Sequence, residues 1–163
     1  MDYLELIQSK IVNKDELSPL LTYWKFKNYK IVFTNGCFDL LHRGHIEYLA
    51  QAAGFGDVLI VGVNTDKSVN LLKGKDRPVQ EEESRKLILA SLRFVTTVVP
   101  FDKETPFELI KFIKPDVLVK GADYKESEIV GADIVKKHGG RVMPVELTTG
   151  YSTSDIIGKI KKT

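Results

Sequence analysis

The residues best suited to chemistry lie in one stretch, Thr34-Asn35-Gly36-Cys37-Phe38-Asp39-Leu40-Leu41-His42-Arg43-Gly44-His45. His42 and His45 stand where a short apolar strand gives way to a helix that begins near Gly44. At a helix N-terminus the unpaired backbone N–H groups and the helix dipole favour anions. Two imidazole donors spaced three residues apart there can converge on the same phosphate oxygens. Such a constellation suits transfer at phosphorus, where positioning of an in-line attack and neutralisation of charge supply the catalysis without a covalent protein nucleophile. Donors that tighten as charge develops on an α-phosphate lower the barrier, and losing one typically costs about 3 kcal/mol. A lone histidine would more simply be a helix cap or a satisfied surface residue. The pair, with glycine between, favours phosphate.

The other residues of this loop have plainer readings beside the chemical one. Gly36 and Gly44 are equally well turn glycines or points where a missing Cβ lets backbone approach a triphosphate. Asp39 reads first as a loop former bonded to nearby backbone N–H groups, and second as a water-mediated magnesium ligand.

Further cations and hydroxyls recur downstream. Lys73, Lys75 and Arg77 surround Gly74 ahead of Pro78, a candidate lid over the β- and γ-phosphates, although a charge run alone is usually solvated surface. Arg85 reads most simply as an exposed helical arginine paired with Glu81. Lys120 closes an apolar run and is followed by Gly121 and Asp123; a lysine at the end of a buried strand needs a polar outlet, and a nucleotide or sugar phosphate would provide it. Ser152 and Thr153 open the final helix, where Ser152 serves as N-cap and both hydroxyls can meet phosphate.

The elements that must position these residues follow from periodicity. Lys30 to Thr34 and Val58 to Val63 are short apolar runs expected for strands buried on both faces, and Ile46, Leu49, Ala50 and Ala53 mark a helix between them that stops near Gly54. Alternation continues with a helix from Glu82 to Leu92, a strand at Thr97 to Val99, a helix from Pro106 to Ile113, and strands at Val117 to Val119 and Arg141 to Val145. A last helix carries Ile156, Ile157 and Ile160, with Lys159, Lys161 and Lys162 at its C-terminal end, where cations suit the dipole. The pattern specifies an α/β fold, a single Rossmann-like doubly wound domain with a five-stranded parallel sheet. Ligands bind such sheets outside the carboxyl ends of the strands, so the segments after Thr34, Val63, Val119 and Val145 should share one rim. Ahead of the sheet, Leu4, Ile7 and Ile11 recur at helical spacing, and Ser18-Pro19 reads as an N-cap with proline at the first helical position. Residues 1–29 are thus expected to form a helical extension, and residues 30–163 the ligand-binding domain.

Composition narrows the partners. With 163 residues, 43% hydrophobic and 28% charged, the chain has the make-up of one folded globular domain. A formal net charge of +2 is too small to argue for nucleic acid or a membrane surface. Cys37 is the only cysteine, so no intrachain disulfide or thiolate-based zinc site is expected, which fits a reducing cytoplasm. The start of the chain lacks the pattern of a signal peptide, and no apolar run approaches a membrane span. The glycine spacing also departs from the Gly-x-Gly-x-x-Gly of dinucleotide-binding dehydrogenases.

The run Asn35 to His45 resembles the first βα loop of the nucleotidyltransferase superfamily with the His-x-Gly-His signature, in its cytidylyltransferase-like branch. Leu72 to Val79, Val119 to Tyr124, and Gly150 to Ser154 are similar to segments of the adenylyltransferases of ADP-heptose synthesis; the resemblance runs from about Lys30 to Ile160. It implies transfer of AMP from ATP to D-glycero-β-D-manno-heptose 1-phosphate, giving ADP-heptose and pyrophosphate for the lipopolysaccharide inner core of a Gram-negative bacterium. It further implies catalytic roles for His42, His45, Lys73 and Arg85, the last as an arginine near the triphosphate. Binding roles fall to Asn35, Gly36, Cys37, Phe38, Asp39, Gly44, Lys75, Arg77, Lys120, Gly121, Asp123, Tyr151, Ser152 and Thr153. Magnesium is expected to arrive mainly on the triphosphate, with no protein metal ligands assigned. Many relatives fuse this domain behind a sugar kinase, so a separate heptose kinase is expected, and a homo-oligomer stays open. Glycerol-3-phosphate cytidylyltransferases carry an arginine a few residues before Gly-x-Ser-Thr, whereas Glu146-Leu147-Thr148-Thr149 offers no cation. A cytidylyltransferase acting on glycerol 3-phosphate or another alcohol phosphate is the alternative enzyme, and a nucleotide-binding regulatory module the alternative without chemistry.

Overall fold

The most apolar runs of the chain are also its strands. The computed structural model describes residues 2–122, 128–146, 148, 150–160 and 162, and within them β1 (Ile31–Gly36), β2 (Val58–Asn64), β3 (Thr97–Phe101), β4 (Val117–Gly121) and β5 (Arg141–Val145) form one sheet. The order is β3-β2-β1-β4-β5 and every pairing is parallel. All seven residues of β2 are buried, as expected of a strand covered on both faces.

Two apolar layers cover the sheet. On one face α3 (Arg43–Ala53) and α5 (Glu82–Ser91) contribute Leu49, Ala52, Leu89 and Ala90, packed with Val32, Val61, Val63 and Val119. On the other, α2 (Lys14–Phe26), α6 (Phe107–Ile113) and α7 (Ala132–Lys137) bring Leu17, Leu21, Trp24, Ile110, Ile113 and Val135 against Ile31, Phe33, Ile60 and Leu118. Each fully buried aliphatic or aromatic side chain contributes roughly 1.5–3 kcal/mol relative to exposure. The predicted doubly wound α/β domain with five parallel strands is the observed one.

The N-terminal segment departs from its expectation. α1 (Tyr3–Gln8) ends before Ile11, which pairs with Val98 as an isolated parallel bridge. Val12 N–H donates to the Val98 carbonyl at 3.0 Å and Val98 N–H to the Lys10 carbonyl at 2.9 Å, so this stretch pairs with the outer side of β3 and satisfies part of its edge. α2 does not start at Ser18-Pro19. Asn13 caps it, accepting from the N–H groups of Asp15 and Glu16, while the Glu16 carboxylate accepts from Asn13 N–H. This reciprocal box outweighs Pro19 inside the helix, whose missing N–H removes one bond. Leu17, Leu21 and Trp24 of α2 sit in the core cluster of the sheet itself, whereas α1 buries no residue.

Two helices have no counterpart in the periodicity. α4 (Asp66–Lys73) buries only Ser68 and Val69 and leaves Leu71 and Leu72 exposed; α7 has six residues and buries Ala132 and Val135. The last helix, α8 (Thr153–Ile160), starts as expected, with Ser152 Oγ accepting from Asp155 N–H at 3.0 Å.

Candidate active site

β1 delivers the histidine loop to the carboxyl edge of the sheet. Past Gly36 the chain turns through Phe38 at φ +47°, a left-handed conformation unusual outside glycine. The Phe38 ring lies 3.1 Å from where a Cβ on Gly36 would be, so a larger residue there would require the ring to give way by a few tenths of an ångström. His42 is the N-cap of α3 in extended conformation but makes no side-chain cap bond; capping therefore does not account for its imidazole. His42 and His45 stack with centroids 3.8 Å apart and planes 22° apart, and Phe38 meets His45 edge-on at 5.4 Å. A Cβ on Gly44 would come within 3.2 Å of the His42 ring and 3.3 Å of Tyr151 Cβ, so glycine here is what lets the rings and the Tyr151 segment close together. Nδ1 of each histidine is buried and has no hydrogen-bond partner among the described residues. Burial, aided by the neighbouring His42 and Lys73 charges, pushes His45 down to about 4, and burial lowers His42 as well. A neutral imidazole offers one N–H donor and one acceptor nitrogen.

Two buried charges hold this loop. The Asp39 carboxylate accepts from Arg77 Nε at 2.5 Å, Val79 N–H at 2.8 Å and Gln80 N–H at 2.9 Å. Burial by itself would raise the Asp39 pKa, but the two backbone donors and Arg77 outweigh it and hold it below the usual carboxylate range. Asp39 is thus a loop former that fastens the segment after α4 onto the histidine loop, and Arg77 spends its Nε there while its buried Nη2 has no partner among the described residues. Arg85 is 1% exposed. Its Nε donates to the Gln80 carbonyl at 3.0 Å, Nη1 to the carbonyls of Cys37 and Asn64 at 2.7 Å each, and Nη2 to Asp66 Oδ1 at 2.6 Å. The expected exposed pair with Glu81 does not form among the described residues. With its fork turned inward on three carbonyls and a carboxylate, Arg85 stands behind the loop and does not line the cleft.

The cleft above the sheet has a volume of about 570 Å³. From the sequence-predicted set it is lined by Asn35, Gly36, Cys37, Phe38, Asp39, His45, Lys73, Lys120, Gly121 and Thr153. Lys73 is the last residue of α4, and Lys120 donates its Nζ to Asn35 Oδ1. Burial pushes Lys120 down to about 8. Of the remaining expected residues, His42 stacks on His45 and Gly44 lies against the His42 ring, and neither lines the cleft. Tyr151 packs under the Arg43 guanidinium 5.5 Å from its ring centroid, and Ser152 caps α8. Lys75 is exposed on the turn after α4, and Asp123 lies outside the described residues.

The lining also includes Tyr48, Asn64, Leu72, Glu104, Thr105, Pro106, Glu128, Ile129 and Val130, none of them among the candidate site residues read from the sequence. Asn64 ends β2 as Asn35 nearly ends β1, and the rule that ligands sit beyond strand carboxyl ends is the signal that points to it. Tyr48 hides one turn into α3, where its hydroxyl is 2.7 Å from Thr34 Oγ1. Among the described residues no three His, Cys, Asp or Glu side chains converge as a cation cage, and no helix is long and apolar enough to cross a membrane.

Residues 33–159, most of the chain, match the family described as cytidylyltransferase-like. The chain belongs to the cytidylyltransferase-like family. Among curated members it is 56% identical over 154 residues to the bifunctional protein HldE of Campylobacter jejuni subsp. doylei and 49% identical over 154 residues to that of Wolinella succinogenes. Each alignment covers 94% of this chain and 32% of the relative, so the chain spans about a third of those proteins' length. Among solved structures, the lipopolysaccharide core biosynthesis protein of Thermoplasma volcanium superposes with a TM-score of 0.61 at 30% identity, covering 76% of this chain and 99% of that one. Pantoate-beta-alanine ligase of Francisella tularensis shares the fold, with a TM-score of 0.62 at 19% identity over 94% of this chain and 78% of its own. In this family context the His42/His45 pair lies inside the matched segment, at the carboxyl edge of the central strand.

Proposed function

We propose that the chain transfers AMP from ATP to D-glycero-β-D-manno-heptose 1-phosphate, releasing pyrophosphate and giving ADP-heptose for the lipopolysaccharide inner core. The observation that carries this reading is the stacked His42/His45 pair at the start of α3, with buried, unspent Nδ1 atoms and His45 facing a cleft that also holds Lys73 and Lys120. An oxygen of the acceptor's phosphate attacks the α-phosphorus. A new P–O bond forms, the bond from the α-phosphorus to the bridging oxygen of the β-phosphate breaks, and pyrophosphate departs with that electron pair. A phosphate nucleophile is already anionic, so no protein base is needed. The histidines, kept neutral by burial, donate hydrogen bonds to the α-phosphate oxygens as charge develops there, alongside the free N–H groups of the helix start. Lys73 neutralises the departing pyrophosphate. Magnesium enters with ATP, held by phosphate oxygens and water.

The heptose 1-phosphate assignment draws support from the sequence segments at Lys73, Lys120 and Ser152, and from the 30% identity to a lipopolysaccharide core biosynthesis protein over 99% of that chain's length. CTP with glycerol 3-phosphate is the less favoured pair, since the stretch before Gly150 lacks the arginine of those enzymes. Pyrophosphate release, followed for each nucleoside triphosphate against heptose 1-phosphate and glycerol 3-phosphate, tests the assignment. ATP with heptose 1-phosphate is expected to turn over at least tenfold faster than any other pair. Turnover confined to CTP with an alcohol phosphate would move the substrate and keep the reaction class; nucleotide binding without any turnover would leave a regulatory module.

A further inference from the structure

Strand alternation gives the cleft two walls of different character. On β1, Val32 packs with Leu49 and Ala52 of α3, and Thr34 meets Tyr48 of the same helix. Ile31 and Phe33 point the other way, into the cluster built by α2, α6 and α7. Asn35 is two residues beyond Phe33, and Lys120 is two residues beyond Leu118, which faces that second cluster too. The Lys120–Asn35 pair therefore belongs to the wall opposite α3 and its histidines. The segments leading into α6 and α7 complete this wall with Glu104, Thr105, Glu128 and Ile129.

Lys120 has three N–H donors, and the neutral Asn35 amide oxygen takes one. Among the described residues no carboxylate forms an ion pair with it. A desolvated ammonium with donors to spare is stabilised by an anion delivered into the cleft. Two anionic groups meet there during the proposed reaction, and in-line geometry separates them. The attacking oxygen must stand across the α-phosphorus from the departing pyrophosphate. With the α-phosphate on the histidines and the pyrophosphate on Lys73, the attacking phosphate occupies the other wall. Glu104 and Glu128 at that wall oppose a multiply charged triphosphate, whereas their oxygens readily accept from hydroxyl groups.

We propose that Lys120, oriented by Asn35, anchors the phosphate of the acceptor, a phosphomonoester that carries a polyol, and does not bind the nucleoside triphosphate. This rests on the nucleotidyl-transfer reading above. The test compares the wild type, Lys120→Met and Lys120→Arg in steady-state pyrophosphate release from ATP and heptose 1-phosphate, with calorimetric titration of a non-hydrolysable ATP analogue in parallel. Lys120→Met is expected to raise the acceptor KM at least tenfold and leave the ATP KM and the analogue's Kd within twofold, while Lys120→Arg recovers most of the acceptor affinity. An unchanged acceptor KM, or loss of analogue binding as large as the loss of acceptor affinity, overturns the assignment of Lys120. A wild-type protein that binds the analogue but releases no pyrophosphate would instead overturn nucleotidyl transfer, a separate result. Unaltered analogue binding also reports that the Met variant is folded.

Discussion

At the scale of single residues, His42 and His45 do their proposed work in the transition state. Neither ring makes a side-chain cap bond and neither Nδ1 has a hydrogen-bond partner among the described residues, so truncation is expected to remove a phosphate donor and, at His45, a contact with the Leu40 backbone. His42→Ala and His45→Ala are each expected to lower kcat about 100-fold, the scale of one lost transition-state donor at roughly 3 kcal/mol. Circular dichroism should stay native. Near-normal kcat in both variants would contradict the role assigned to them. The histidine spacing and the glycine between them are legible in the sequence, because a motif carries its own geometry once it sits at a strand-to-helix junction. The roles of Asp39 and Arg85 are less so. Asp39 reads as a loop former, but its partners lie about 40 residues downstream at Arg77, Val79 and Gln80. Arg85 reads as surface, and only the fold reveals that it is buried.

Among elements, Arg85 joins the histidine loop through Cys37, the end of β2 through Asn64, the start of α4 through Asp66 and the approach to α5 through Gln80. A lysine retains the charge but cannot reproduce a fork that reaches four acceptors. Arg85→Lys is therefore expected to destabilise the protein by about 2–4 kcal/mol in urea unfolding, because buried carbonyls lose their donors. A change under about 0.5 kcal/mol would show that the network is dispensable. The central strands and the larger helices can be read from the sequence because burial on both sheet faces leaves apolar runs, and the half-exposed edge strand β5 also falls at its predicted bounds. α4 and α7, each of which hides only two residues, have no counterpart in that reading. The wall facing the histidines is equally invisible in the sequence: Glu104 and Glu128 precede helices in stretches without a motif, and tertiary structure alone brings them to the wall that carries Lys120.

For the molecule as a whole, burying neutral histidines makes stability depend on pH. His45 takes a proton near its ordinary 6.5 when unfolded but only near 4 when folded. The unfolded state thus binds more protons between these values, and stability falls as pH drops from about 6.5 to about 4, with no contribution from this group above that window. The Asp39 carboxylate acts lower: its depressed pKa contributes stability above the ordinary carboxylate value and loses it as pH falls through the folded one. Thermal melts of the wild type should show Tm decreasing across the His45 window, and His45→Gln should flatten that part of the profile. Parallel profiles would mean that His45 is not buried neutral. The central claim concerns the fate of one phosphorus atom. A single turnover with ATP labelled at the α-phosphate and excess heptose 1-phosphate should carry the label into ADP-heptose, with unlabelled pyrophosphate released in equal amount. Label that stays in ATP, or that appears as free AMP or on the protein, would contradict direct transfer to the acceptor phosphate.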